Sequence, residues 1–188
     1  AELTYVRDRY YTADGGEDIR TSVSAGGEPF LPHVENIITR APAISVYGYW
    51  ALNREKRAAQ KAYLEKWNRI RCPKTGRRVD VLLTPTMPHS SVPHRSCRWV
   101  GYTKVWNLLD YTTAVLPFGE IDRKVDPAKT EPSVAGYQAR NETDAFNWGL
   151  FDPEAMHGLP LSVQIIGQRL EEEKVLGAAR VIEEVLRA

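Results

Sequence analysis

The chain has 188 residues and a formal net charge of +1, a balance that favours neither a nucleic acid nor an anionic membrane as partner. Hydrophobic residues make up 43% and charged residues 26%, ordinary for a soluble globular protein. No apolar run approaches the length of about 18 residues that spans a bilayer, no secretory signal opens the sequence, and Cys72 and Cys97 can form at most one bridge. The expected setting is therefore reduced and cytoplasmic.

Residues 1–45 read as mostly irregular. Asp14-Gly15-Gly16 and Ala25-Gly26-Gly27 mark turns, and Pro29, Pro32 and Pro42 punctuate the rest. A short helix is predicted from about His33 to Arg40, carried by Val34, Ile37 and Ile38. A long helix follows from Tyr47 to Arg71. In it Trp50, Leu52, Ala59, Tyr63, Trp67 and Ile70 recur near a 3.6-residue period, until Pro73 and Gly76 stop it. A strand is predicted over 80–84, where the unbroken run Val81-Leu82-Leu83 suits cover on both faces. It runs into Pro85-Thr86-Met87-Pro88, and the two prolines should end its pairing abruptly.

A helix from Tyr102 to Asp110 and an apolar strand over Thr112–Leu116 come next, the strand ending in Pro117-Phe118-Gly119. Residues 120–157 show little periodicity, but Tyr137, Phe146, Trp148 and Phe151 favour an ordered loop. A third strand, Leu161–Ile166, leads to a final helix over Glu171–Arg187. Three glutamates open that helix at the positive end of its dipole, and Val175, Ala179, Ile182 and Leu186 form its stripe. Strands alternating with helices predict an α/β fold with a largely parallel or mixed sheet. Three apolar strands are few for such a sheet, so something outside them should cover it. The start at Ala1 rather than Met suggests a processed product or a fragment.

Three blocks now line up: "DVLLTPTMP" (80–88), "YTKVWNLLDYTTAVLPFG" (102–119) and "GLPLSVQIIGQRLEEEKVLGAARVIEEVL" (158–186). In this order they resemble the C-terminal third of amidase signature enzymes, with the fungal acetamidase branch nearest and fatty acid amide hydrolase more distant. "GGEPFLPHV" and the Trp-rich helix 47–71 extend the likeness over most of the chain. The resemblance implies the C-terminal portion of the amidase signature fold, a mixed β-sheet covered by helices. It makes 1–188 one part of a single amidase domain, with strand 80–84 central in its sheet. It also implies hydrolysis of carboxamides to acid and ammonia by a Ser–cis-Ser–Lys triad. A neutral lysine draws a proton through the bridging serine, the second serine attacks the carbonyl, and backbone N–H groups of a Gly/Ser-rich turn hold the oxyanion.

That Gly-Gly-Ser-Ser-Gly turn is absent from this sequence, so no catalytic residue is assigned here. The implied partners are a small amide substrate and the N-terminal remainder carrying the triad, with a second copy of the chain as a candidate homodimer partner. No metal or organic cofactor is required. The alternative is a truncated, non-catalytic homologue that binds a ligand or partner, and a companion polypeptide carrying the serine turn would decide against it.

The remaining candidates are weighed one by one. Ser90-Ser91 lacks the glycines that would let amides converge on an oxyanion, so it reads as a loop. His89, His94 and Cys97 lack a fourth ligand and fit no common zinc spacing. Gly26-Gly27 is a turn rather than a phosphate loop. Asn141-Glu142-Thr143 matches a glycosylation acceptor by chance, and Lys104 reads as a solvated side chain. Tyr102, Thr103, Trp106 and Asn107 share one helical face, which in the resembling family lines the acyl cavity. With Thr86 and Met87 from the rigid tip, they are the predicted substrate-binding residues. The competing reading is core packing, strongest for Trp106.

Overall fold

The computed structural model describes residues 8–126, 129 and 135–187, with the side chain of residue 187 outside the description. Parts of two sequence readings, the start of the irregular 1–45 segment and residues 127, 128 and 130–134 of the long loop, lie outside the described residues. The chain divides into two compact units, Ala1–Val79 with Lys104–Asp110, and Asp80–Thr103 with Tyr111–Ala188.

The first unit is helical. Helices α1 (Glu17–Ala25), α2 (Pro32–Ile38) and α3 (Val46–Arg69) precede the later part of α4 (Gly101–Leu109). Helix α1 lies where an irregular segment was expected. None of its residues is buried, and the signal is its start. Asp14 accepts the backbone N–H groups of Gly16 and Asp18, each at 2.8 Å, and Glu17 and Asp18 fill the first turn. Gly16, at φ 83°, carries the turn, and a Cβ there would lie 2.6 Å from Ile38 Cα, so only glycine fits. Helix α3 is capped by Ser45, whose Oγ accepts from the Gly48 N–H at 3.0 Å. Of the predicted stripe on α3 only Leu52 and Trp67 are buried, while Trp50 is 59% and Ile70 44% exposed.

Leu52 and Leu108 form the centre of this unit, with Tyr10 against them. The Gln60 amide donates to Leu108 O at 2.9 Å, and the Trp67 indole donates to Val79 O at 3.2 Å. Trp106 is 8% exposed and meets Tyr63 edge-on, with ring centroids 5.9 Å apart. Lys104, expected in solvent, has a side chain only 14% exposed and lies 3.8 Å from the Asp8 carboxylate. Its long stem is covered while its charge keeps a partner.

The second unit carries the sheet. Strands β1 (Leu82–Pro85), β2 (Thr113–Glu120) and β3 (Pro160–Ile166) pair in the order β1-β3-β2, both pairings antiparallel. The central place among these three strands belongs to β3, not to the 80–84 segment. As an edge strand β1 alternates in burial, and Leu83 is 53% exposed rather than covered on both faces. Pairing ends at Pro85, opposite Val163, as its missing N–H requires. On β2 the register shifts between Pro117 and Gly119, leaving Phe118 as the extra residue of a bulge.

Helix α6 (Glu172–Arg187) packs on β2 and β3. Val175, 1% exposed, is its anchor. A Cβ on Gly167 would come within 2.5 Å of the Val175 side chain, so the glycine after β3 permits that approach. Outward on α6, Leu176, Val181 and Val185 stay exposed.

A further helix, α5 (Glu142–Leu150), stands inside the expected loop. Asn141 caps it, its side-chain oxygen accepting from the Asp144 N–H at 3.0 Å, so the apparent glycosylation triplet is a helix start. The loop aromatics pack on one another. Tyr137 lies 4.7 Å from Trp148 between centroids, and Trp148 stacks on Phe151 at 5.9 Å.

Candidate substrate pocket

The tip of β1 opens onto a cavity of about 520 Å³, inside the roughly 300–1,000 Å³ span of small-molecule sites. Residues Leu83 to Ser90 form one wall, Leu161 to Val163 of β3 another, and Phe118, Ile121 and Phe151 complete it. Each wall follows from the local fold. Two prolines fix the tip, the bulge presents Phe118, and Ile121 is held by its N–H to Leu159 O at 3.0 Å. Phe151 is backed by the Trp148 ring. Among the described residues, no Lys, Arg, Asp or Glu lines the cavity.

Of the sequence-predicted residues, Thr86 and Met87 line this cavity, whereas Tyr102, Thr103, Trp106 and Asn107 do not. The Thr86 hydroxyl donates to Ser162 O at 3.4 Å, tying the tip to β3. Tyr102 meets Trp99 edge-on at 5.1 Å, and the Thr103 hydroxyl donates to Val100 O at 3.1 Å. Trp106 is buried in the helical unit and Asn107 is exposed.

Gln164 received no role from the sequence, although it sits inside the quoted Val-Gln-Ile-Ile run. It is 1% exposed, and its amide nitrogen donates to Pro85 O at 2.8 Å and to Tyr102 O at 2.9 Å. One side chain thus holds the end of β1 and the first turn of α4. A lone amide in an apolar strand is the signal that would have found it, since buried polar groups require partners.

His89 and Ser90 also line the cavity. The Ser90 hydroxyl lies 3.8 Å from Met156 Sδ, a weak contact. Among the described residues no three His, Cys, Asp or Glu side chains gather as metal ligands. No described helix is long and apolar enough to cross a membrane.

Residues 7–176 match the amidase family model. The chain belongs to the amidase family. It is similar to Amidase 1 of Gibberella moniliformis, 48% identical over 186 residues, covering 99% of this chain and 35% of that protein. The acetamidase of Emericella nidulans is 36% identical over 177 residues, covering 94% of this chain and 31% of its own length. Among solved structures, a fatty acid amide hydrolase superposes with a TM-score of 0.80 at 23% identity, covering 99% of this chain and 32% of that one. The fold is therefore the C-terminal portion of the amidase signature fold, an α/β architecture, and the chain spans about a third of the length of these relatives.

Proposed function

We propose that this chain is the substrate-binding portion of an amidase that hydrolyses carboxamides to carboxylic acid and ammonia. The observation that carries the reading is the mainly apolar cavity at the tip of β1, in a chain of the amidase family. In this reading Thr86 and Met87 touch the substrate, and Tyr102 is tied to the end of β1 through the Gln164 bridge, while Thr103 enters through the family resemblance. Trp106 and Asn107 enter only through the family resemblance, because they do not line the cavity.

The chemistry belongs to the remainder of the protein. A Ser–cis-Ser–Lys triad there would attack the amide carbonyl and expel ammonia, while this portion orients the substrate and excludes water. The reading sets the enzyme in the cytoplasm and leaves a homodimer as an assembly to be measured by sizing. The test is ammonia release by the complete polypeptide over a series of aliphatic and aryl amides. Turnover is expected, with none from the 188-residue chain alone. Failure to hydrolyse any amide would contradict the reading, as would turnover by the chain alone that vanishes in Ser91→Ala.

A further inference from the structure

Gln164 is the polar exception at the buried end of β3. It is 1% exposed, beside Ile165 and Ile166, which are fully buried. An aliphatic side chain of similar size would fill this place at no polar cost, whereas a buried amide is tolerated when its hydrogen bonds are made. Here the amide nitrogen donates twice, to Pro85 O at 2.8 Å and to Tyr102 O at 2.9 Å. Both distances lie near the optimum for an N–H donor. The two donors of the side chain are therefore fully used.

The acceptors are chosen by position. Pro85 is the last paired residue of β1, and Thr86 and Met87 depart from it. Tyr102 stands in the first turn of α4. In the ladder Gln164 lies opposite Thr84, so its side chain reaches one residue past its own partner, to the point where pairing stops. Other ties of the tip are weaker. Pro85 and Pro88 have no N–H to donate, and the Thr86 hydroxyl reaches Ser162 O only at 3.4 Å, the long end of a hydrogen bond. The Thr84 hydroxyl also reaches Pro85 O, at 3.2 Å, but it comes from the adjacent residue and anchors the tip to no other element. The Gln164 bridge lies wholly inside this chain, and further polypeptide packed against the chain can deepen its burial but cannot expose it.

We propose that Gln164 is a positioning residue for the amide substrate. By bonding both carbonyls it ties the tip of β1 to the first turn of α4, so that Thr86 and Met87 keep one place against the acyl group. This rests on the amidase reading of the tip. Its consequence is an effect on substrate selection, beyond the effect on folding that any core residue has. A substrate-positioning group misplaced by about 1 Å can cost roughly a hundredfold in rate, even when the altered residue is far from the chemistry.

The test uses the complete polypeptide and straight-chain amides from acetamide to a long-chain amide. Gln164→Met keeps the reach of the side chain and removes both donors. It should lower kcat/KM for the long-chain amide by roughly tenfold or more, with a smaller loss on acetamide. Gln164→Glu supplies a rescue within a single folded variant. A buried carboxyl holds its proton well above the ordinary carboxylate range, and the neutral acid has one O–H for one of the two carbonyls. Between about pH 9 and about pH 5 its kcat/KM for the long-chain amide, relative to wild type, should recover part of the loss, while that of Gln164→Met stays flat. Two readouts need no turnover. The carbonyl ¹³C resonances of Pro85 and Tyr102 should shift in Gln164→Met, and the backbone resonances of Thr86 and Met87 should shift with them. Calorimetry should show the long-chain amide binding Gln164→Met roughly tenfold more weakly than wild type. If no amide is hydrolysed but these two signatures appear, the amidase reading fails and the positioning role stands. A Gln164→Met variant that melts at a lower temperature yet keeps the wild-type preference across the series would overturn the role. So would a Gln164→Glu variant that is no better at low pH than Gln164→Met.

Discussion

Strand β3 ends in Gln164, Ile165 and Ile166, each at most 1% exposed, whereas the 24-residue α3 buries only Leu52 and Trp67. β3 finds all its neighbours inside the chain. Strands β1 and β2 flank it, α6 covers it, and backbone carbonyls at Pro85 and Tyr102 satisfy its one amide side chain. At the start of α3, Val46, Tyr47, Tyr49 and Trp50 stay between 44% and 69% exposed. Periodicity shows that a helix face wants cover, but not which part of a protein supplies it. The chain spans about a third of the length of its relatives.

Substitutions can break this contrast, and the largest effect is expected inside β3. Ile165→Ala should lower the unfolding free energy of the 188-residue chain by about 2–5 kcal/mol in urea titration, through lost transfer energy and a residual cavity. A loss below about 1 kcal/mol would mean that the β3 core is looser than its burial indicates. Gln164→Leu should cost about 2 kcal/mol, because the Pro85 and Tyr102 carbonyls lose their donor while buried. Gln164→Glu should be worse still, since a carboxylate has no N–H for either carbonyl. Asn141→Ala should cost about 1 kcal/mol through loss of the α5 cap, and Asn141→Asp should be nearly neutral.

The smallest effect belongs to α3. Trp50→Ala should change the stability of the 188-residue chain by no more than about 0.5 kcal/mol, as for an exposed side chain. In the complete polypeptide the same change should cost about 3 kcal/mol if the missing length covers this face. Equal effects in both would show that the exposed face of α3 is native surface.

Much of the fold was legible because its signals are local. The stops at Pro73 and Pro85 and the apolar runs of the three strands each act within a few residues. Helices α1 and α5 escaped because caps carry them. Asp14 and Asn141 satisfy the first N–H groups, and nine residues are too few to repeat an apolar stripe over several turns. The outer place of β1 among these three strands was illegible for a different reason. An apolar triplet reports a preference for burial, while strand order depends on pairings some eighty residues apart, such as Leu83 with Ile165. In the pocket, Thr86 and Met87 could be proposed from the stiff tip alone. Phe118 and Phe151 arrive through a bulge and a loop, which no spacing rule anticipates.

In the proposed reading, this chain supplies the substrate wall and not the reaction itself. The most direct measurement is the ratio of kcat/KM for a long-chain amide to that for acetamide, in the complete polypeptide carrying Met87→Trp. The larger ring should fill part of the cavity, and the ratio should fall by roughly tenfold or more, the worth of excluding one or two methylene-sized groups. An unchanged ratio, or an equal loss on both amides, would contradict the placement of the substrate against the tip of β1.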